Sequence, residues 1–212
     1  MKIVVYGAGG LGREVLQLIR DTGADGVREI LGFIDDGVEP GVVRNDAVVL
    51  GGVEYLDTIS EPVGVVFGIA DPRAKEKRYL ALRQNLLVSF PTIIHPRASI
   101  RAYTSIDEGV VIVADCHVSV NVHIGRCVLV DDSATIGHDV AIGDFSSILP
   151  QVAVSGNIDI GPRCLLGVGC LLRQGIKVGA DAVVGMGSVV LQDVPAGTTV
   201  YGNPARPARP QP

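Results

Sequence analysis

NVHIGRCVLVDDSATIGHDVAIGDFSSILPQVAVSGNIDI, residues 121–160, decides the fold. An aliphatic residue stands at every sixth place in it: Ile124, Val130, Ile136, Ile142, Ile148, Val154 and Ile160. The series runs back to Ile100 and forward to Val190, and all sixteen of its members are aliphatic. Two places before each lies a second series of small or apolar residues, among them Val122, Val128, Ala134, Val140, Ser146, Val152 and Ile158. Strand side chains alternate between faces, so two inward positions two apart describe a short strand followed by a corner. An amphipathic helix is excluded, because its apolar stripe recurs at three and four. Three such units close a triangular coil of 18 residues, and stacked coils bury a column of Ile, Val and Leu that one coil alone leaves wet. About five coils fit between residues 96 and 191. Glycine recurs just after the aliphatic position, at Gly125, Gly137, Gly143, Gly161, Gly167, Gly179 and Gly185, where a tight corner is expected to use positive φ.

Ahead of the repeat the pattern changes. Residues 2–6, KIVVY, read as a buried strand, followed by Gly7-Ala8-Gly9-Gly10-Leu11-Gly12 and a helical stretch over residues 13–23. In that strand-to-helix setting the loop lets a phosphate approach backbone N–H groups at the start of a helix. A second strand, residues 29–36, ends in Asp35 and Asp36, and such an acidic residue is expected to grip a ribose hydroxyl. A strand over residues 63–71 and a helix over 72–85 complete an α/β unit of about 85 residues, roughly half of a full dinucleotide-binding domain. A mononucleotide therefore suits it better than NAD. The plainer reading is that the glycines let a helix pack close to a strand. The expected division is a nucleotide-binding α/β domain over 1–90, a β-helix over 91–195 and a tail over 196–212.

Composition narrows the partners. Of 212 residues, 47% are hydrophobic and 19% charged, which fits a globular chain able to bury a core without staples. A formal charge of −5 with no dense Lys/Arg block argues against nucleic acid or an anionic membrane. MKIVVYGAGG lacks the regions of a secretory signal, and no run of 18 apolar residues occurs, so a cytoplasmic protein is expected. The four cysteines, at 116, 127, 164 and 170, have no paired CxxC spacing and read as small core residues.

The repeat, together with the ending VYGNPARP at 200–207, resembles the hexapeptide-repeat acyltransferases. Joined to the glycine loop, FIDD at 33–36, VLGGVEYLD at 49–57, the strand end Gly68-Ile69-Ala70-Asp71, IIHPRASI at 93–100 and IGHDVAIGDFSS at 136–147, it is similar to a narrower family. That family comprises the bacterial acetyltransferases of nucleotide-linked amino sugars and of sialic acid. The resemblance implies an α/β half-Rossmann domain followed by an all-β, left-handed parallel β-helix, working as a homotrimer. It implies acetyl-CoA as co-substrate, no metal, and an acceptor sugar held at Gly9, Gly10, Leu11, Asp35, Asp36 and Gly68. Relatives often carry His where this chain has Leu11. The resemblance also lays pantetheine in a groove between adjacent β-helices, near Ser147, where relatives often carry a donor-contacting His, and near Gly156, Val168 and Met186.

Acetyl transfer from a thioester to an amine needs a base, an oxyanion donor and exclusion of water. Residues 18 apart stack, so His138 lies in a column with Val120, Gly156 and Gln174. His138 should point outward from a corner, Gly156 leaves space beside it and offers a backbone N–H, and Asp139 can orient the imidazole. By resemblance, IGHD is the segment that carries the catalytic His and its acidic neighbour, so the expected pair is His138 and Asp139. Transfer to a sugar hydroxyl, as in sialic acid O-acetylation, is the alternative within this class. His117, His123 and His138 also suggest a second class, a metal-dependent hydratase resembling the β-helix carbonic anhydrases, with zinc between subunits. A nucleotide-sensing scaffold with an inert β-helix is a third.

Overall fold

A computed structural model describes residues 1–22 and 29–208 of the chain. Gly23, the end of the expected first helix, and the last four residues of the tail lie outside the described residues. The N-terminal unit is a six-stranded sheet built from β1 (Lys2–Tyr6), β2 (Glu29–Ile34), β3 (Val43–Arg44), β4 (Ala47–Gly51), β5 (Val63–Phe67) and β6 (Val88–Ser89). Their order is β3-β4-β2-β1-β5-β6, parallel except for the β3–β4 hairpin. Helix α1 (Gly10–Thr22) lays Val15, Leu16, Leu18 and Ile19 against the sheet. Helix α2 (Pro72–Leu82) starts where the Asp71 carboxylate accepts from the Ala74 N–H at 2.8 Å, with a proline in its first turn.

From Ile93 onward the chain winds through two-residue parallel strands, each paired with the strand 18 residues away, as Val111 with Leu129 and Thr135 with Ala153. The result is a left-handed β-helix with three faces. The first face runs from Ile93–Ile94 to the hairpin of Thr199–Gly202 and Ala205–Pro207, in eight strands. The second has six, from Ser99–Ile100 to Val189–Val190, and the third five, from Ser105–Ile106 to Lys177–Val178. The parallel sheets are covered inside by the expected column, in which Ile112, Ile124, Ile136, Ile142 and Ile148 are fully buried. Ile100 and Ile106 are only partly buried, because no coil lies beneath the first one.

The corners differ from the expectation. Gly125, Gly137 and Gly143 do not have positive φ; the left-handed residue comes two places later, at Cys127 (φ 53°), Asp139 (φ 56°) and Phe145 (φ 65°). Glycine is required after the aliphatic position for another reason. A Cβ on Gly137 would stand 2.6 Å from the Ser155 carbonyl carbon, and one on Gly143 2.5 Å from the Pro162 nitrogen. The next coil passes too close for any side chain, whereas the left-handed turn itself is left to Asp, Asn, Ser and others.

The first face is covered by the α/β unit. Its outward Val111 and Leu129 join the cluster of β1 and α1, while Cys127 and Phe145 pack with Tyr79 and Phe90. From α2, the buried Lys75 Nζ donates to Cys127 O (2.9 Å), Ser146 O (3.2 Å) and Ser147 Oγ (2.9 Å). Arg163 answers with Glu76 at 3.0 Å. One face is thus closed, and two faces with the corner between them remain open.

Candidate active site

That open corner carries His138. Its column is the expected one: the Asn157 N–H donates to His138 O at 2.9 Å and the Gly175 N–H to Gly156 O at 3.1 Å, one coil after another. The imidazole Nδ1 lies 2.7 Å from Asp139 Oδ2, and both side chains are about half exposed (49% and 46%). Beside a carboxylate, Nδ1 carries the proton and Nε2 its lone pair. Gly156 is buried under the ring, since a Cβ there would meet Nε2 and Cε1 at 2.6 Å. Asp139 is also held from the coil below, where Asn121 Nδ2 donates to its Oδ1 at 3.0 Å. The bond from His138 first, and then that from Asn121, keep the Asp139 carboxyl below its ordinary range. A half-exposed imidazole, oriented by a carboxylate and lying over the glycine of the next coil, is an arrangement able to take a proton from an attacking amine.

The structure separates the other expected residues. Val168 (40% exposed) and Met186 (78%) lie out in solvent on the corner between first and second faces, the opposite edge of the second face from His138. Ser147 is a correction: expected in the donor groove, it is fully buried on the first face, where Lys75 donates to it and its own hydroxyl donates to Ala70 O at 2.7 Å. The α/β unit covers it, so it cannot touch a groove on the open faces. Sequence reasoning missed Lys75, which sits in the charged run RAKEKR with nothing local to mark it as buried. It also missed Asn121, although the 18-residue stacking rule places Asn121 beneath Asp139.

In the α/β unit, Gly9 and Gly10 are exposed at the start of α1, with nothing within 4 Å of a Cβ on either. The space beside these two glycines is therefore open at the start of the helix, where the first amides have no intrahelical partner. Leu11 is partly buried against the unit's core. Gly68 is a second correction: it is buried, and a Cβ on it would stand 2.5 Å from Gly12 Cα, so it serves helix–strand packing rather than ligand contact. Asp35 accepts from the Ala8 N–H (2.8 Å) and the Gly37 N–H (2.9 Å), tying the glycine loop to β2. Asp36 accepts from Tyr6 OH (2.7 Å) and the Val53 N–H (2.9 Å) and pairs with Arg78. Burial pushes the Asp36 carboxyl up, but these donors outweigh it and hold the group below its usual range. Asp36 thus has three partners within the fold and Asp35 two, which leaves acceptor capacity on both carboxylates. Both border a cleft of about 260 Å³ with Gly37, Glu39, Gly52 and Glu54.

His95 Nδ1 accepts from the Arg97 N–H at 3.0 Å, and His123 Nδ1 lies 2.9 Å from Ser105 Oγ. Among the described residues no three His, Cys, Asp or Glu side chains converge as a metal-ligand set. No helix among them is long and apolar enough to cross a membrane.

Residues 2–82 match the PglD N-terminal domain family, and residues 157–192 the hexapeptide repeat of succinyl-transferase. Over 219 aligned residues the chain is 31% identical to GDP-perosamine N-acetyltransferase of Escherichia coli O157:H7, covering 95% of this chain and 94% of that one. The structure superposes on the acetyltransferase domain of PglB from Neisseria gonorrhoeae FA1090 in complex with acetyl coenzyme A, with a TM-score of 0.89, 32% identity and 98% of each chain covered. It superposes also on PerB from Caulobacter crescentus in complex with CoA and GDP-perosamine, with a TM-score of 0.87 and 26% identity over 99% of this chain and 98% of that one.

Proposed function

Because the chain belongs to the β-helix acetyltransferase family that includes GDP-perosamine N-acetyltransferase, and is itself an acetyltransferase, we propose that it acetylates the amino group of a nucleotide-linked amino sugar with His138 as general base. The observation that carries this reading is the His138–Asp139 pair at 2.7 Å with its second ring nitrogen open above Gly156. As the sugar nitrogen attacks the thioester carbonyl, Nε2 accepts its proton. The tetrahedral intermediate then collapses, the carbon–sulfur bond breaks, and the proton passes from Nε2 to the departing thiolate of CoA. The Gly156 coil, which lies against the ring, offers a backbone amide for the developing oxyanion.

In this reading the domain of residues 1–90 holds the nucleotide through the first amides of α1, at Gly9, Gly10 and Leu11, with Asp35 free to accept from a ribose hydroxyl. The β-helix, residues 91–195, supplies the chemistry. Gly156 and the pair Val168/Met186 stand on opposite edges of one face, so a donor groove touching both is formed where the edges of two copies meet. The outward residues of the second face are Ser99, His117, Thr135, Ala153, Leu171 and Val189, without a carboxylate, Lys or Arg, which suits contact between copies. A homotrimer follows as the assembly, with its groove at the seam and its substrates drawn from the cytoplasm.

The test is direct. With acetyl-CoA and GDP-perosamine as first acceptor, thiol release should follow saturation kinetics. His138→Ala should lower kcat by about 10²-fold or more, the usual contribution of a general base. Near-normal turnover in that variant removes His138 from the role.

A further inference from the structure

We propose that Asn121 is a positioning residue for the proton-accepting pair, its side-chain amide fixing the Asp139 carboxylate so that His138 keeps Nε2 free. This rests on the reading of His138 as the base. The two oxygens of Asp139 have separate partners: Oδ2 meets His138 Nδ1 at 2.7 Å, and Oδ1 accepts from Asn121 Nδ2 at 3.0 Å. An aspartate half open to water has a broad terminal torsion, and solvent competes for both oxygens. One bond to the imidazole leaves the carboxylate free to swing about that contact; a second bond, to the other oxygen, removes the swing.

The second bond comes from a rigid base. Asn121 lies one coil below Asp139, and the backbones are laddered through the Asp139 N–H and Val120 O at 3.1 Å. Both residues sit at the same left-handed corner, each with φ 56°. Asn121 is exposed, so it fills no core, and its position after Val120 would accept Gly or Asp on backbone grounds alone. A packing role would therefore leave the residue free to vary, whereas a role toward Asp139 demands a donor.

Two substitutions separate these roles. Asn121→Gly keeps the left-handed corner and deletes the amide; Asn121→Asp keeps the shape and sets a second carboxylate against the first. We expect Asn121→Gly to lower kcat by about tenfold or more, in line with loss of a hydrogen bond to a charged group, and Asn121→Asp to lower it at least as far. KM for acceptor and for acetyl-CoA should stay unchanged in both. In a His138→Ala background Asn121→Gly should cost nothing further, because residues that act as a unit are not additive. ¹⁵N spectra of the labelled histidines should show His138 losing its Nδ1–H form in Asn121→Gly. Wild-type kcat in Asn121→Gly, or an undiminished extra loss in the double variant, overturns the proposal. If instead His138→Ala itself turns over normally, it is the base assignment that fails.

Discussion

Beneath the His138 ring there is room for a hydrogen atom and nothing larger. A Cβ on Gly156 would lie 2.6 Å from Nε2, closer than van der Waals contact permits, and the exposed imidazole is the partner that can move. Gly156→Ala should therefore swing His138 off Asp139 and lower kcat by about 10²-fold, the scale of a misplaced base. Its melting temperature should hold, because Gly156 is not at positive φ and the ring yields into solvent; a matched loss of stability would instead point to a damaged coil. At this scale the sequence was legible where the period governs. His138, Asp139 and Gly156 fall where stacking by eighteen puts them, as does Asn121 once the column is followed downward. Ser147 was not legible, because its burial depends on which face the α/β unit covers, and the repeat treats three faces alike. The partners of Asp36 were hidden for a related reason: a carboxylate at a strand end looks free until Tyr6 and Arg78 arrive from other elements.

Among the elements, α2 carries the least expected side chain. Lys75 is 1% exposed, its three partners are uncharged, and burial pushes its ammonium down to about 7. In the unfolded chain it keeps its ordinary value of 10.5, so between about 7 and 10.5 the unfolded state holds more protons. Stability should then climb as pH rises from 7, by at most about 1.4 kcal/mol per unit for one proton, and level off below 7 where both states are charged. The buried Cys127 and Cys170 thiols, pushed up to about 12 by burial, work in the opposite sense above their ordinary value of 9.0. Urea unfolding between pH 7 and 9 at fixed protein concentration isolates the lysine; Lys75→Met should flatten the slope, and an unchanged slope would assign it to another group. The two helices and the strands β1, β2 and β5 of this unit could be read from local pattern, but the β3–β4 hairpin and β6 could not. Val43–Arg44 is a two-residue strand with both side chains exposed and no alternation to betray it.

Taken as a whole, the molecule closes one side of a prism and leaves two bare. Leu171, 47% exposed on the penultimate strand of the second face, is the large apolar side chain most exposed among that face's strand residues and so the one to test in the expected seam. In solution the assembly should weigh three times the 22.2 kDa chain by light scattering. Leu171→Glu should split it into single chains that melt cooperatively yet transfer no acetyl group, because burying an unpaired carboxylate at a contact is costly; active monomers would refute the seam. The fold was legible here because sixteen aliphatic residues in register leave little else to build. The eighteen-residue register carries one more consequence, for how such a chain can change its length. A gain or loss of six residues between Asn121 and Asp139 would rotate everything downstream onto the neighbouring side and part the amide from its carboxylate. An entire added turn beyond Gly156 would only make the column taller. Descendants of this protein are free to grow in whole storeys, and only above or below the floor on which the reaction takes place.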